Sequence, residues 1–141
     1  MRRVVCDVGV IISGLLSADG PPGRLLDRWR DGVFDLIVSP LWLVELARVL
    51  DRPKISRYLE PGDAEELLAA IRLQAEWADD PPAQPGLTPD PGDDYLVSLA
   101  RAAGADYLVS GDAHLTGLQD AEPAVLTPRQ FDELLGPSAD Q

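Results

Sequence analysis

Short runs of aliphatic and β-branched residues alternate along the chain with longer segments in which apolar positions recur every three or four residues. Runs of the first kind are typical of buried strands, and the second pattern is typical of helices with one apolar face. The strands predicted on this basis are 2–7, 34–38, 107–109 and 124–126. The predicted helices are 24–30, 40–50, 55–59, 63–77, 91–103 and 128–135.

Capping residues mark the ends of several of these helices. N-caps are predicted at Ser39, Asp63, Asp90 and Thr127, because short polar side chains accept hydrogen bonds from the first turn. Asp63 and Thr127 are each followed three residues later by Glu or Gln, which predicts capping boxes. Gly104 is expected to end the helix that begins after Asp90.

Two segments interrupt the pattern. Residues 8–16 are mostly apolar but contain two glycines, which predicts a loop passing into a first helical turn. Residues 79–91 contain five prolines, and proline cannot donate a hydrogen bond within a sheet. A loop or a short edge strand is therefore predicted there.

Strands that are separated by helices indicate βαβ crossovers, and hence a parallel sheet covered on both faces. The fold class is therefore predicted to be α/β. In such sheets a ligand site lies at the carboxyl ends of the strands. At 141 residues the chain has the size of one domain, which we place at 1–136, with a C-terminal tail at 137–141.

Composition excludes several classes of protein. Apolar residues make up 45% and charged residues 26%, as in ordinary globular proteins. The longest apolar stretches, such as 41–44, are far shorter than the ~20 residues of a membrane span, so we expect a soluble cytoplasmic protein without membrane contact. One cysteine and one histidine exclude a disulfide scaffold and a zinc site.

Charge is distributed unevenly along the chain. The net charge is −12, but residues 1–60 carry nine basic and eight acidic side chains, whereas residues 61–141 carry three and sixteen. A net-negative protein is not attracted to polyanions, which argues against a plain DNA-binding module. A metal-dependent nuclease stays open, because clustered carboxylates are the ligands of hard divalent cations.

Four acidic residues are expected at one edge of the predicted sheet. Asp7 and Asp112 each follow a predicted strand, Glu45 lies on the second predicted helix, and Asp93 lies in the first turn of another. We expect Glu45 to be buried among apolar neighbours. Each acid also has a simpler explanation: Asp7 and Asp112 as turn formers, Asp93 as a favourable charge at a helix N-terminus, and Glu45 as an exposed ion-pair partner of Arg48.

Five fragments stand in order along the chain: VVCD at 4–7, SP at 39–40 with Glu45 on the helix that follows, DPGD at 90–93, ADYLVSGD at 105–112 and LTPRQF at 126–131. In this order and spacing they resemble the PIN-domain family, in its toxin-like branch related to VapC-type ribonucleases of toxin–antitoxin pairs. The resemblance covers residues 3–135. It implies a three-layer α/β/α sandwich with a five-stranded, mostly parallel sheet of order 3-2-1-4-5.

The resemblance also implies an activity. Asp7, Glu45, Asp93 and Asp112 would form the metal-binding and catalytic cluster of a Mg²⁺- or Mn²⁺-dependent endoribonuclease. We expect Asp7 and Asp93 to hold the main ion, and Glu45 and Asp112 to hold a second ion or orient the attacking water. An RNA substrate, a cognate antitoxin and a homodimer follow from the same resemblance, with Leu15, Leu16, Leu25 and Trp42 as candidates to line an antitoxin groove, although core packing is the expected role of Trp42.

The sequence departs from the family after the first acid. Family members usually carry threonine and asparagine there, whereas this chain has Val8 and Gly9. Polar groups that could orient the carboxylate are therefore missing, and such losses typically reduce metal affinity or activity by roughly 10- to 100-fold. His114 stands where the family often has an acid, and we interpret it as a surface residue.

Basic residues of the first half are candidates to bind substrate phosphates. One group is Arg24, Arg28 and Arg30. The preferred group begins on the helix that carries Glu45 and consists of Arg48, Arg52, Lys54 and Arg57.

Two alternatives to an active nuclease stay open at this point. A catalytically weakened PIN domain could act as an RNA- or protein-binding module, which the departure at Val8 and Gly9 favours. A phospho-acceptor receiver domain also has acids at the edge of its sheet, but it needs a late lysine, and the only lysine is Lys54. A phosphatase with an Asp-x-Asp nucleophile fails because position 9 is glycine.

Overall fold

The computed structural model of the chain describes residues 1–82, 86–88, 91–118 and 121–137. Its strands are β1 Arg3–Cys6, β2 Asp35–Val38, β3 Glu76–Trp77, β4 Tyr107–Val109 and β5 Ala124–Leu126. Its helices are α1 Val8–Leu16, α2 Pro21–Arg30, α3 Pro40–Leu50, α4 Pro53–Ser56, α5 Asp63–Gln74, α6 Pro91–Ala102, α7 Ala113–Thr116 and α8 Pro128–Leu135.

The five strands form one sheet of order β3-β2-β1-β4-β5, in which every neighbouring pair is parallel. Helices cover both sides of the sheet, which gives the three-layer α/β/α sandwich. The predicted fold class and strand order are therefore confirmed. The order reverses between β1 and β4, so the ligand crevice of such a fold lies at the carboxyl ends of these two strands.

The central strands are buried on both faces, which explains their continuous apolar runs. Val4, Ile37 and Leu108 have no exposed surface. At the end of the sheet towards α8, the rings of Phe34 and Phe131 pack edge to face with centroids 5.1 Å apart. This core holds the carboxyl edge of the sheet in a fixed geometry, on which the candidate site is built.

Capping predictions hold where the signal is local. Ser39 caps α3 by accepting a hydrogen bond from the Trp42 backbone N–H, and Thr127 forms the predicted capping box with Gln130. Asp63 does not form one. Gly62, with φ at +93°, is the N-cap residue of α5, and the Asp63 carboxylate accepts instead from the Glu60 backbone N–H at 3.0 Å.

The prediction of a loop at 8–16 is wrong, because these residues form α1. The glycine in the middle of α1 is required by helix packing rather than by a turn: a Cβ at Gly14 would lie 2.6 Å from the Pro22 carbonyl oxygen. A Cβ at Gly23 of α2 would likewise lie 2.4 Å from the Ala18 carbonyl oxygen. The helix predicted at 24–30 begins earlier, at Pro21, and this first turn of α2 packs against α1.

The boundary between α5 and β3 also differs from the prediction. The helix was expected to reach Trp77, but it ends at Gln74, and Glu76–Trp77 form a short edge strand paired with β2. The edge strand thus precedes the proline-rich segment. The short helix expected at 55–59 lies instead at Pro53–Ser56, since proline is well accommodated in a first helical turn, and α7 was not predicted.

Two predictions fall outside the described part of the chain. The proposed N-cap Asp90 lies there, and so does all of the proposed tail at 137–141 except Pro137. Among the helices that the structure does describe, none has the length and apolar character needed to traverse a bilayer.

Candidate metal and nuclease site

Asp7 is fixed at the carboxyl end of β1 by contacts to three elements. Its backbone N–H donates to the carbonyl of Val109 on β4 at 2.9 Å. One carboxylate oxygen accepts from the Gly9 N–H at 3.0 Å and so caps α1, and the other accepts from the Ser110 hydroxyl at 3.1 Å. The carboxylate therefore stands at the junction of β1, β4 and α1, with both oxygens oriented by donors.

Ser110 was not predicted as a site residue, yet it is fully buried and connects two of the predicted acids. Its hydroxyl donates to Asp7 and accepts from the Asp112 backbone N–H at 3.0 Å. Cys6 is paired with Val109 in the parallel register of β1 and β4, so the next residues along each strand, Asp7 and Ser110, meet. The contact between Ser110 and Asp7 could not be predicted without knowing that β1 pairs with β4 in this register.

Glu45 lies on α3 and is not buried, contrary to the prediction. Its side chain is 44% exposed, and its neighbours Leu41 and Val44 are also exposed. Apolar residues stand both on the buried face of α3, as Trp42 and Leu46 do, and on its exposed face, as Leu41 and Val44 do. Apolar neighbours in the sequence therefore did not imply that Glu45 is buried. Both carboxylate oxygens accept from the Arg48 guanidinium at 2.7 to 3.1 Å, which is the simpler interpretation given for this residue.

Asp93 lies in the first turn of α6 and is buried, with 7% of its surface exposed. Its neighbour Asp94 is buried as well. The Asp94 carboxylate accepts from the backbone N–H groups of Gly86 at 3.2 Å and Thr88 at 2.6 Å. These two hydrogen bonds tie residues 86–88 to the start of α6 at Asp94.

Asp112 follows β4 and caps α7. Its carboxylate accepts from the His114 backbone N–H at 2.8 Å, and the same oxygen lies 3.3 Å from the His114 imidazole Nδ1. His114 is exposed, as predicted. The turn-forming role of Asp112 is therefore real, although the residue also borders the crevice described next.

Three of the four acids line one cavity of about 420 Å³. Asp7, Glu45 and Asp93 surround it together with apolar residues of α3 and α6. Asp7 and Asp112 line a second cavity of about 280 Å³. The structure therefore brings Asp7, Glu45 and Asp93 to one opening, and places Asp112 beside the adjoining one.

A network of three side chains joins the start of α3 to α6 next to this cavity. The Tyr95 hydroxyl donates to the Asp80 carboxylate and shares a hydrogen bond with the buried Ser39 hydroxyl. Asp80 also accepts from the Leu41 backbone N–H at 3.1 Å. No sequence pattern predicted this network, because Asp80 lies in the proline-rich segment, 39 residues from Leu41 and 15 residues from Tyr95.

The network shifts the acid–base properties of its members. Burial, followed by the negative charge of its hydrogen-bond partner Asp80, raises the pKa of Tyr95 to about 12. Burial also tends to raise the pKa of Asp80, but the hydrogen bonds from Tyr95, Ser39 and Leu41 outweigh it and hold that pKa below its usual value. Asp80 is thus a stable carboxylate that fixes Tyr95 in the cavity wall.

Trp42 anchors α3 to the end of β1. Its indole Nε1 donates to the Cys6 carbonyl at 2.7 Å, and the ring is 1% exposed, so the expected core role is confirmed. Burial, with a smaller contribution from Asp7, raises the pKa of the Cys6 thiol to about 12. A neutral thiol of this kind is not a nucleophile.

The chemistry of the acids fits a hard divalent cation. All donors are carboxylate oxygens, which are the preferred protein ligands of Mg²⁺ and Mn²⁺. As the side chains stand, no three His, Cys, Asp or Glu residues within the described ranges are grouped closely enough to hold an ion. Glu45 in particular is paired with Arg48. The donor set fits, and its assignment as a metal site stays a prediction.

The candidate phosphate-binding residues have different surroundings. Arg48 contacts the site by its ion pair with Glu45. The guanidinium carbon of Arg57 lies 4.9 Å from the centroid of the exposed Tyr58 ring. Arg52 and Lys54 are exposed. Arg24 and Arg28 are instead bound to Asp132 of α8, at 2.9 and 3.4 Å.

The predicted antitoxin groove is partly wrong. Leu25 and Trp42 are core residues and are not available to a partner. Leu16 is 40% exposed, and the exposed apolar residues beside the acidic cavity are Leu41 and Val44.

The chain is similar to a protein of known sequence and to two solved structures. The uncharacterized protein MJ1680 of Methanocaldococcus jannaschii is 26% identical over 142 residues, covering 93% of this chain and 90% of that protein. The crystal structure of PAE2754 from Pyrobaculum aerophilum superposes with a TM-score of 0.60 at 18% identity, over 99% of this chain and 91% of that one. The crystal structure of VapBC2 from Rickettsia felis, bound to a DNA fragment from the VapBC2 promoter, superposes with a TM-score of 0.56 at 15% identity. The match covers 88% of this chain and 96% of that one.

The structural neighbours establish the fold, and the match to a family model establishes the family. The model described as PIN domain matches residues 3–114, which include β1 through β4 and all four acids. PIN domains are generally nucleases. With a match over most of its length and the five-stranded sheet in the expected order, this chain belongs to the PIN domain family.

Proposed function

We propose that this protein is a metal-dependent endoribonuclease that cleaves RNA by hydrolysis of a phosphodiester, and that it is the toxin of a toxin–antitoxin pair. The observation that carries the proposal is the common cavity of Asp7, Glu45 and Asp93, at the carboxyl edge of the sheet where the strand order reverses. Membership of a family of nucleases supports it.

The residues have distinct roles in this proposal. Asp7 and Asp93 would hold the principal Mg²⁺ or Mn²⁺ ion, since one is oriented by two donors and the other is buried in the cavity wall. Glu45 and Asp112 would hold a second ion or orient the attacking water. The ions, when bound, lower the pKa of water and stabilise negative charge on the leaving oxygen.

The other residues of the site supply position and surroundings. Tyr95 and Asp80 hold α6 against the start of α3, and Trp42 holds α3 against β1. The phosphates of the substrate would be bound by Arg48, Arg52, Lys54 and Arg57. The apolar side chains of Leu41 and Val44 line the cavity beside the acids.

Cleavage of RNA by the purified protein tests the activity. We expect single-stranded RNA to be cut in the presence of Mg²⁺ or Mn²⁺, and cleavage to stop when a chelator is added. The variant D93N should lose cleavage, whereas D27N, on an exposed position of α2, should retain it. Cleavage that persists in D93N or in chelator would contradict the proposal.

The toxin role and the antitoxin partner are proposed from the family and from the likeness to VapBC2. Expression of the chain should arrest growth of a bacterial host, and D93N should relieve the arrest. Unimpeded growth with the active protein would contradict the toxin role while leaving the nuclease assignment intact. We propose in addition that the protein is a cytoplasmic homodimer and that residues 1–136 form its single domain.

A weakened PIN domain that binds RNA without cutting it is the second candidate, and one observation favours it. A Cβ at Gly9 would lie 3.6 Å from Asp7 Oδ1, so a side chain at this position would contact the first acid. Glycine offers no polar group there. RNA binding without cleavage, unchanged in D93N, would identify this function.

A receiver domain is not supported. Its doubly wound sheet has the order 2-1-3-4-5, whereas this sheet has the order β3-β2-β1-β4-β5. Lys54, the only lysine, lies exposed on α4 and lines neither of the two acidic cavities.

A further inference from the structure

The ion pair between Glu45 and Arg48 involves the whole carboxylate. Arg48 Nη2 donates to both oxygens at 2.7 and 2.8 Å, and Arg48 Nε donates to Oε2 at 3.1 Å. The two residues are one helical turn apart on α3, so the pair forms without any change in the backbone. Glu45 in this state has no oxygen that is not already bound by the guanidinium.

Glu45 also lines the cavity that it shares with Asp7 and Asp93. A cation in that cavity and the guanidinium of Arg48 would therefore require the same two oxygens. Because both are positively charged, simultaneous binding to one carboxylate is opposed by their repulsion.

Other acidic residues lie near Arg48. It also lines a separate cavity of about 600 Å³ formed by residues of α3, α5 and the segment between them, together with Asp51, Glu60 and Glu65. Its side chain is 60% exposed. A guanidinium that leaves Glu45 thus remains near other acids and is not stranded in an apolar environment.

We propose that Arg48 is an internal competitor of the divalent cation: it neutralises Glu45 in the metal-free protein and must leave that carboxylate when the ion binds. This inference rests on the proposed metal-dependent function. It makes Arg48 a residue that sets the ion affinity of the site and reduces repulsion among the cavity acids when no ion is present.

The size of the effect follows from the exposure of the pair. Exposed ion pairs contribute little, so removal of Arg48 should tighten ion binding by about two- to five-fold rather than by orders of magnitude. The direction is diagnostic. A residue that only supports the structure of the site would weaken ion binding when removed.

The affinity can be measured without an activity assay by titrating the purified full chain with Mn²⁺. Binding is followed by calorimetry and by the loss of the electron paramagnetic resonance signal of free Mn²⁺. The variant R48Q is expected to bind Mn²⁺ about two- to five-fold more tightly than the parent. The control R72Q removes the same charge from an exposed position on α5 and should change the affinity less. In an E45Q background, R48Q should have no further effect, since the shared carboxylate is gone.

Each other result has a definite meaning. Equal or weaker Mn²⁺ binding by R48Q, with thermal melts that show a folded protein, would overturn the competition. The same gain in R72Q, or in the E45Q background, would show a general effect of charge and would also overturn it. If the parent and R48Q bind no Mn²⁺ at all, the proposed metal-dependent function itself is wrong, and this inference falls with it.

Discussion

The Ser110 hydroxyl donates a hydrogen bond to the Asp7 carboxylate at 3.1 Å, across the two strands between which the sheet order reverses. The same oxygen accepts from the Asp112 N–H, so one buried atom sets the position of two acids. Outer groups that orient metal ligands typically change metal affinity or activity by about 10- to 100-fold. We therefore expect Ser110 to affect metal affinity even though it is not a proposed metal ligand.

Substitution of Ser110 by alanine should lower Mn²⁺ affinity by about tenfold, because the Asp7 carboxylate loses a donor that orients it. Ser98 provides a matched control: its hydroxyl is buried on α6 and has no hydrogen-bond partner within the described residues. S98A should leave the affinity unchanged. Equal affinities of S110A and the parent in a Mn²⁺ titration would argue against an orienting role.

Asp7 combines a capping role with the proposed ligand role, and two variants separate them. D7N keeps an acceptor for the Gly9 N–H and should fold, whereas D7A loses the cap of α1 and should be less stable by about 1 kcal/mol. Added Mg²⁺ should raise the melting temperature of the parent, and neither variant should respond. A rise in D7N equal to that of the parent would place the ion elsewhere.

Trp42 is expected to contribute to stability through its indole N–H as well as its volume. In W42F the buried Cys6 carbonyl loses its donor at 2.7 Å, and the free energy of unfolding should fall by about 1 to 3 kcal/mol. W77F, on the exposed edge strand, should have a smaller effect. Urea denaturation of the two variants measures the difference, and similar losses would contradict the structural argument.

The ion pair of Arg3 with Glu76 predicts a pH dependence of stability. Hydrogen bonding to Arg3 lowers the pKa of Glu76 below its usual 4.5, even though burial opposes the shift. A lowered pKa in the folded state means that this contribution is fully present above pH 4.5 and is lost as the pH falls through the folded value. Melts of the parent and E76Q should therefore differ at pH 7 and converge at strongly acidic pH. A constant difference would show that ionisation of Glu76 is not involved.

The departure at Val8 and Gly9 can be reversed. Introducing the usual family residues in the double variant V8T/G9N places polar groups beside Asp7, since a Cβ at position 9 points towards its carboxylate. RNA cleavage should increase by roughly tenfold. An unchanged or lower rate, with cleavage still dependent on Asp93, would show that these two residues do not limit the activity.

The sequence by itself determined the α/β class and most of the elements. The strands at Tyr107–Val109 and Ala124–Leu126 and the helix at Pro40–Leu50 have the predicted bounds. The caps at Ser39 and Thr127 were predictable for the same reason: their hydrogen bonds join residues three positions apart, so the signal is complete within a short window. The strand order came from the resemblance to a family, and the structure confirms it.

Tertiary structure alone decided the features that depend on distant residues. The close packing of α1 on α2 requires glycine at position 14, beside Pro22. The exposure of Glu45 depends on which face of its helix meets the sheet. The hydrogen bonds of Ser110 to Asp7 and of Tyr95 to Asp80 join residues that are 103 and 15 positions apart in the chain. Strand pairing and helix packing bring these residues together. Local patterns carry the periodicity of one element, whereas the relative placement of two elements is set by the packing of the whole core.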